Sequence, residues 1–499
     1  MDANAGTRCL TRLCQLTQAE LLVALWPVVL RIARLIHQFT SQTASPKELF
    51  EFETKLQRLL CELGRRIVQW KLNSLESHKP QDLPSSLFYE RDAYYRKRLS
   101  PVRNLNCLFG KIHLRRWLYE PCEGLGLSCL FPLELQLGIV AGVATPALAD
   151  RVARLSSDLT QRQLLDVLRS QHQVCWGSET LRKTVAAMAE GLNPFRHPAQ
   201  VAKLLNLLQQ ADQTGGPRKI QLVVGRDGIM LPIRGLKKYK EGATATVSVY
   251  SRWGKRLGTV YLGHMPEALQ VTLSDELTRL LTDVLGQWTG APLHLSYITD
   301  AGFHPTEYFQ SVLCRMPDPQ RSGKYLQWEW VVDYYHACQY ISRLAEVIFG
   351  PGREAYAWAA KMRRTLKEKR GGVFRVLRSA GQLRAIRGLA GEPSDYDSAY
   401  HYLRGHSRWM NYAERRRLRV PIGSGVTEAA CKIVFSQRFK CAGMKWDIET
   451  GASILTMRVI ALSGIWSVAR DAMFESNTEA LPTTPRQFQT KQRKTTRKP

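Results

Sequence analysis

Three acidic residues stand where side chains from distant parts of the chain can share a cation. Asp227 follows the apolar run Ile220-Gln221-Leu222-Val223-Val224, and Asp300 follows Leu293-His294-Leu295-Ser296-Tyr297-Ile298. Glu428 falls in the first turn of a helix opened by Pro421-Ile422-Gly423-Ser424-Gly425. Both runs read as strands, so the aspartates lie at strand ends and converge over the carboxyl edge of a sheet. A helix laid across that edge adds the third group. Hard oxygen ligands of this kind suit Mg²⁺ or Mn²⁺. Two such ions about 3.5–4 Å apart activate the attacking oxygen and stabilise the leaving oxygen in phosphodiester chemistry.

Each position also has a purely structural reading. Asp227-Gly228 is an ordinary turn dipeptide. Asp300 can cap the helix near Pro305. Glu428 can favour its helix N-terminus and pair with Lys432 one turn on. The weight lies in the order: strand and Asp, strand and Asp, then a Gly-Ser-Gly turn and a helical Glu. Asp333-Tyr334-Tyr335-His336 directly follows a further run, Trp328-Glu329-Trp330-Val331-Val332. There His336 would steer a phosphate near the metals and Asp333 would orient it, with buried structural roles as the alternative. Beyond Glu428, Arg438, Lys440 and Lys445 are cations suited to DNA phosphates, and Trp446 is either a base-stacking platform or a core residue.

The elements that must position these groups read as α/β. Strands at 220–224, 246–250 and 257–262, a helix over 274–288, a strand at 293–298, a helix after Pro305 and a strand at 328–332 make a mixed sheet. Between His336 and Arg419 no strand pattern recurs, and the helical segments there are strongly basic. A long helix over 426–440 and an apolar one to 468 follow. Upstream, Leu49, Phe52, Leu56, Leu59 and Leu63 alternate three and four apart. That stripe is either a dimer seam or one side of an intramolecular hairpin against 21–35, with Ser45-Pro46 as its start. Cys107-Leu108-Phe109-Gly110-Lys111 and the run 112–119 read as a hairpin made basic by Arg103, Arg115 and Arg116. Over 146–192, a helix, a turn and a helix starting at Ser178 place Arg182 and Lys183 as a helix-turn-helix recognition helix would. Capped helix pairs also occur in proteins that touch no DNA.

Composition narrows the partner. Across 499 residues, 71 Lys and Arg face 43 Asp and Glu, a formal balance of +28, which favours a polyanion. The most apolar stretch, 21–30, is half the length of a membrane span and contains Pro27. The first residues carry no basic-then-apolar leader, so export is not expected. Eleven cysteines without a C-x-x-C pair read as reduced intracellular thiols that mostly fill cores. Cys122 and Cys129, six residues apart, lack the tight knuckle of a zinc ribbon, so zinc is not expected. No G-x-x-x-x-G-K-[ST], H-E-x-x-H or G-x-S-x-G motif occurs, which removes P-loop ATPase, zinc-protease and serine-hydrolase readings.

The motif Pro421-Ile-Gly-Ser-Gly-Val-Thr-Glu428-Ala-Ala-Cys-Lys432, continuing through Gln437-Arg438-Phe-Lys440 to Gly443-Met444-Lys445-Trp446, resembles the third-carboxylate motif of ISKra-type bacterial insertion-sequence transposases. The segments from Leu108-Phe109-Gly110 through Thr145-Pro146 to Thr180-Leu181-Arg182, the Asp227-Gly228 pair, and Asp300 with 328–336 are similar to that family as well. The resemblance covers roughly residues 100–470. It implies an RNase H-like catalytic core whose DDE triad is Asp227, Asp300 and Glu428. The interval 428 − 300 = 128 positions matches members with a helical insertion before the last carboxylate, and Asp333-x-x-His336 is similar to the (C/D)-x-x-H motif of some relatives. Family members often carry paired C-x-x-C knuckles, whereas this chain keeps only Cys107, Cys122 and Cys129.

The expectation is therefore a DNA transposase with an α/β RNase H-like core and an all-α insertion. It divides into an N-terminal helical region (1–98), a DNA-binding region (99–200), the core (215–335 and 416–475), the insertion (336–415) and a disordered basic tail (476–499). Two Mg²⁺ or Mn²⁺ ions per active site would be held by the triad. Arg115, Arg116, Arg182, Lys183, Lys432, Arg438, Lys440 and Lys445 would contact transposon ends and target, both double-stranded. A homo-oligomer working in the bacterial cytoplasm at the nucleoid, without ATP or membrane, is implied. Two alternatives are an RNase H-like nuclease without strand transfer and a catalytically dead DNA-binding descendant.

Overall fold

Alternating apolar residues build two sheets in this chain, and a period near 3.6 builds the helices around them. The computed structural model describes residues 3–40, 44–77, 79–121, 127–387 and 395–479. The chain is mixed α/β and divides into two units, one from Met1–Gly191 plus the chain from Arg470 on, the other Leu192–Ala469.

The first unit opens with helices Ala3–Gln38 and Pro46–Ser74. Ser45 caps the second, its hydroxyl accepting from the Glu48 N–H at 3.2 Å, with Pro46 in the first turn. The leucine stripe belongs to a hairpin between these helices. Phe52 stacks on Phe39 with ring centroids 4.8 Å apart, and Arg31 pairs with Glu62 at 2.6 Å. Strands β1 (Ser86–Tyr89), β2 (Asp92–Cys107) and β3 (Gly110–Pro121) form an antiparallel sheet in that order. The expected hairpin is there, but β2 begins well upstream, so residues 98 and 99 lie within one strand. The open edge of β3 is covered by helix Pro46–Ser74. The Asn73 amide donates to His113 O at 2.9 Å and accepts from the Arg115 N–H at 2.8 Å. An edge so occupied cannot recruit another strand. Helices Pro146–Ser156 and Gln161–His172 follow, the latter with a Thr160/Gln163 capping box, and a third helix starts at Ser178.

In the second unit, β4 (Ile220–Leu231), β5 (Lys240–Tyr250), β6 (Arg256–His264), β7 (Leu293–Thr299) and β8 (Trp328–Val332) form one sheet in the order β6-β5-β4-β7-β8. The first three are antiparallel, and β7 and β8 run parallel to β4. Gly225-Arg226-Asp227-Gly228 is not the turn expected from its composition. β4 continues through it, with Asp227 opposite Thr244 and Gly228 opposite Ala243. The long partner strand β5 supplies the backbone hydrogen bonds that override the turn signal.

Strand parity sorts the two faces. Leu222, Val224, Leu295, Tyr297 and Trp330 pack under helix Val271–Gln287. Val223, Ile298 and Val331 face the other way, into the core of the helical stretch after β8. That stretch comprises Tyr334–Phe349, Arg353–Glu368, Gly372–Ile386, Asp395–Gly405 and Tyr412–Arg417. The expected late helix runs as Gly425–Ala430, a π-helical segment Cys431–Ser436, and Gln437–Phe439. Ile448–Leu462 and Trp466–Glu479 close the described chain. The first residues of the expected tail are thus helical, and the rest lies outside the described residues.

All eight cysteines of described side chains are free thiols, but only Cys107, Cys338 and Cys431 are buried while Cys129, Cys175 and Cys314 are exposed. Core filling is therefore a partial account of them. Cys122 lies outside the described residues. No single described helix is long and apolar enough to cross a membrane.

Candidate active site

The parallel pairing of β4 with β7 sets the level of the two aspartates. Gly225 pairs with Ile298, and each aspartate comes two residues later. Asp227 on β4 and Asp300, the first residue past β7, therefore stand at one level beside each other, their strands about 4.8 Å apart. Both share the parity of Val223 and Ile298, so both point to the face of the helical stretch. Arg226, of opposite parity, points away. It is buried, donates to Ser274 Oγ at 3.0 Å and lies over the Tyr308 ring. No arginine from β4 therefore neutralises Asp227.

The helix Gly425–Ala430 reaches this edge because Gly225 lacks a side chain. A Cβ there would collide with Oγ1 of Thr427. Thr427 in turn shares a hydrogen bond of 2.8 Å with Thr246 of β5. One turn of helix is thus seated on β4 and β5, with Glu428, the next residue, exposed at its surface.

Asp333 fixes the turn before that helix. It is fully buried. Its Oδ1 accepts from the backbone N–H of Tyr335 and, at 2.9 Å, of His336, capping helix Tyr334–Phe349. Its Oδ2 accepts from both the N–H and the hydroxyl of Ser424. Gly423 permits the approach, since a Cβ there would meet the Tyr335 ring. Asp333 accepts from the His336 backbone and not from its imidazole, so it positions the Gly423-Ser424-Gly425 turn and does not orient the ring. The half-buried His336 ring meets Tyr402 edge-on at 5.7 Å, and the Tyr402 hydroxyl donates to Asp300 O at 2.7 Å.

Electrostatics link the three carboxylates. Burial pushes Asp227 up to about 6, and the charges of Asp300 and Glu428 push the same way. The Cys431 thiol, donating to Oδ2 at 3.2 Å, and the Gly228 N–H at 2.8 Å oppose that rise without cancelling it. Glu428, though exposed, is also raised, first by partial loss of solvent around its carboxyl and then by Asp333, with His336 and Lys432 acting against it. Among the described residues no three His, Cys, Asp or Glu side chains are already closed to ligand distance around one point. The three carboxylates share an edge and a field without forming a finished cage. Their chemistry fits a hard divalent cation: oxygen donors that repel one another at one sheet edge.

The expected DNA contacts separate into two groups. Arg115, Arg182, Lys183, Lys432, Lys440 and Lys445 are exposed, Arg182 and Lys183 lying 2.9 and 3.6 Å from Glu179. Arg116 and Arg438 are not available. Arg116 is buried against Glu134 and lies 3.9 Å over the Phe131 ring. Parity explains it: Lys111, His113 and Arg115 alternate outward along β3, and Arg116 turns in. Arg438 is buried and stacks 4.9 Å over Trp446. Trp446 is itself a core residue, its indole donating to Phe439 O at 3.0 Å.

Sequence reasoning passed over Gly225, Thr427, Cys431, Ser424 and Tyr402. Gly225 did carry a signal, being a glycine inside an apolar strand two residues before an acid, which marks close approach. Tyr402 carried none, because its partner is a backbone carbonyl 102 residues away. No protein-family model matches the chain, and no curated protein matches it in sequence.

Proposed function

We propose that this chain is a DNA transposase with an RNase H-like core, in which Asp227, Asp300 and Glu428 hold two Mg²⁺ or Mn²⁺ ions. The observation that carries the reading is the register: an aspartate on β4 level with one just past the end of the parallel strand β7, with a glutamate helix seated on the glycine beside them. Three antiparallel strands followed by two parallel ones, with the first of them in chain order at the centre, is the strand order such a core requires. A bound ion pair supplies a Lewis acid for the attacking oxygen and charge stabilisation for the leaving one.

The chain's own groups do the rest. The Cys431 thiol orients Asp227, Tyr402 holds the backbone of Asp300, and Asp333 with Ser424 sets the entry angle of the Glu428 helix. His336, beside Glu428, favours its ionised form. Lys432, Lys440 and Lys445 hold phosphates of the bound duplex. Arg115 and the helix beginning at Ser178, with Arg182 and Lys183, bind the terminal inverted repeats. Cleavage exposes a 3′-OH, which attacks target DNA directly and needs no ATP. Because two ends must be joined together, the working form is a homo-oligomer, acting on DNA in the bacterial cytoplasm.

The test is a supercoiled plasmid carrying the inverted repeats that flank the gene, incubated with protein, Mg²⁺ and a target plasmid. Cleavage at the repeat ends followed by joining is expected. Cleavage without joining favours a nuclease, and binding without cleavage an inactive descendant.

A further inference from the structure

The helical stretch between β8 and the Glu428 turn carries two populations of cations. One is used inside the fold. Arg363 donates to Ser342 Oγ, Lys367 lies 5.5 Å over the Tyr334 ring, Arg384 pairs with Asp397 at 2.6 Å, and Arg387 with Glu354 at 3.2 Å. The other is exposed: Lys361, Arg364, Lys369, Arg370, Arg375 and Arg378. None of these six is in an ion pair with another described residue, and Glu368 is the one acidic residue between positions 361 and 378.

Their placement is ordered. Lys361 and Arg364 are three apart on helix Arg353–Glu368, and Arg375 and Arg378 are three apart on Gly372–Ile386. Residues at that spacing share a helix face. Lys369 and Arg370 occupy the turn between. Lys361, Arg364 and Lys369 line a hollow of about 290 Å³ together with Thr365 and Glu368. The helix is tied to the acidic edge, because the hydroxyl of Tyr334, the residue after Asp333, donates to Arg363 O at 3.1 Å.

We propose that these two helices form a phosphate platform for duplex DNA flanking the cleaved bond, separate from the cations that follow Glu428. This rests on the DNA-processing reading above. Six exposed cations in a short span match a repeating polyanion better than a single small anion, which one enclosed cation would satisfy. A hollow lined by three of them suits a ridge of phosphates better than a flat lipid surface. Each phosphate neutralised releases condensed counterions, so the platform has a salt signature.

The experiment uses the full chain and the triple variant Lys361→Ala, Arg364→Ala, Lys369→Ala, with thermal melting to verify folding. Binding to a 60-base-pair duplex without the repeat sequence is followed by anisotropy from 50 to 300 mM salt. The variant is expected to bind at least about tenfold more weakly near 100 mM salt. Its slope of log affinity against log salt should shrink by about three. A folded variant with the wild-type slope overturns the platform while leaving the transposase reading intact. A wild-type chain that binds no duplex at any salt overturns both. Loss of binding to anionic vesicles with duplex binding unchanged also overturns the platform and makes lipid the partner.

Discussion

The two edges of the five-stranded sheet hold carboxylates in opposite ways. At the amino edge of the parallel strands, Glu329 of β8 lies 3.0 Å from His294 Nε2 and 2.5 Å from Arg415 Nη1. Burial raises its carboxyl, but those two partners outweigh burial and hold it at about 2. Arg415 is itself buried and donates to Ser296 Oγ at 3.1 Å and to Pro421 O at 3.1 Å, so the cation that faces Glu329 is anchored within the protein. At the carboxyl edge, Asp227 rises to about 6, since burial and two like charges meet only a thiol and a backbone N–H. Protein that can neutralise a carboxylate with arginine on one edge does not do so on the other. The proposed cation site at the second edge rests on that difference.

The largest effect that would break this contrast is on chemistry. Asp300→Asn and Asp227→Asn should each lower end cleavage by about 10³-fold or more while end binding stays nearly intact, measured on plasmid and by gel shift. Unchanged cleavage removes that residue from the site. Glu329→Gln should leave cleavage within a few-fold of wild type when the protein is folded. Asp333→Ala comes next. It leaves the Tyr335, His336 and Ser424 donors without their acceptor and should cost about 3 kcal/mol or more in urea unfolding, with cleavage lost as well.

Stability should then move in opposite directions at the two edges. Without metal, Asp227→Asn removes a half-buried, repelled charge and should raise stability by about 1–2 kcal/mol at pH 7. Glu329→Gln removes a compensated charge and should lower it by about 1–2 kcal/mol, a value reduced for the partial exposure of that side chain. A common sign for both variants contradicts the contrast.

The smallest effect is the pH profile. Between about pH 4 and 6 the native chain keeps on Asp227 a proton that the unfolded chain has lost, so metal-free stability falls as pH rises through that window. Glu329 acts the other way: its contribution is present above about pH 4.5 and is lost as pH falls toward 2. Mg²⁺ held at the proposed site would compete with the Asp227 proton, so the Mg²⁺-induced rise in melting temperature should grow from pH 5 to pH 7. Asp227→Asn should flatten both trends.

The order of elements in the core was legible because strand and helix periods are local properties. The two aspartates stood out as acids after apolar runs, and Glu428 as an acid in a helix opened by a Gly-Ser-Gly turn. What was hidden was tertiary. Asp227-Gly228 has the composition of a turn, and only the partner strand β5 makes it strand. Asp333 reads as a catalytic auxiliary beside His336, but its second oxygen is occupied by Ser424, 91 positions away. Arg116 and Arg438 carry the same formal charge as their exposed neighbours, and parity or packing alone decides which cations reach solvent. Gly225 was the readable clue that went unread.

The most direct test of the central claim counts metal ions without reference to activity. Mn²⁺ binding, followed by electron paramagnetic resonance at pH 7, should give two ions per wild-type chain. Asp227→Asn, Asp300→Asn and Glu428→Gln should each lose at least one of them, while Glu329→Gln keeps both. A folded variant of any of the three carboxylates that binds Mn²⁺ with wild-type number and affinity would contradict it.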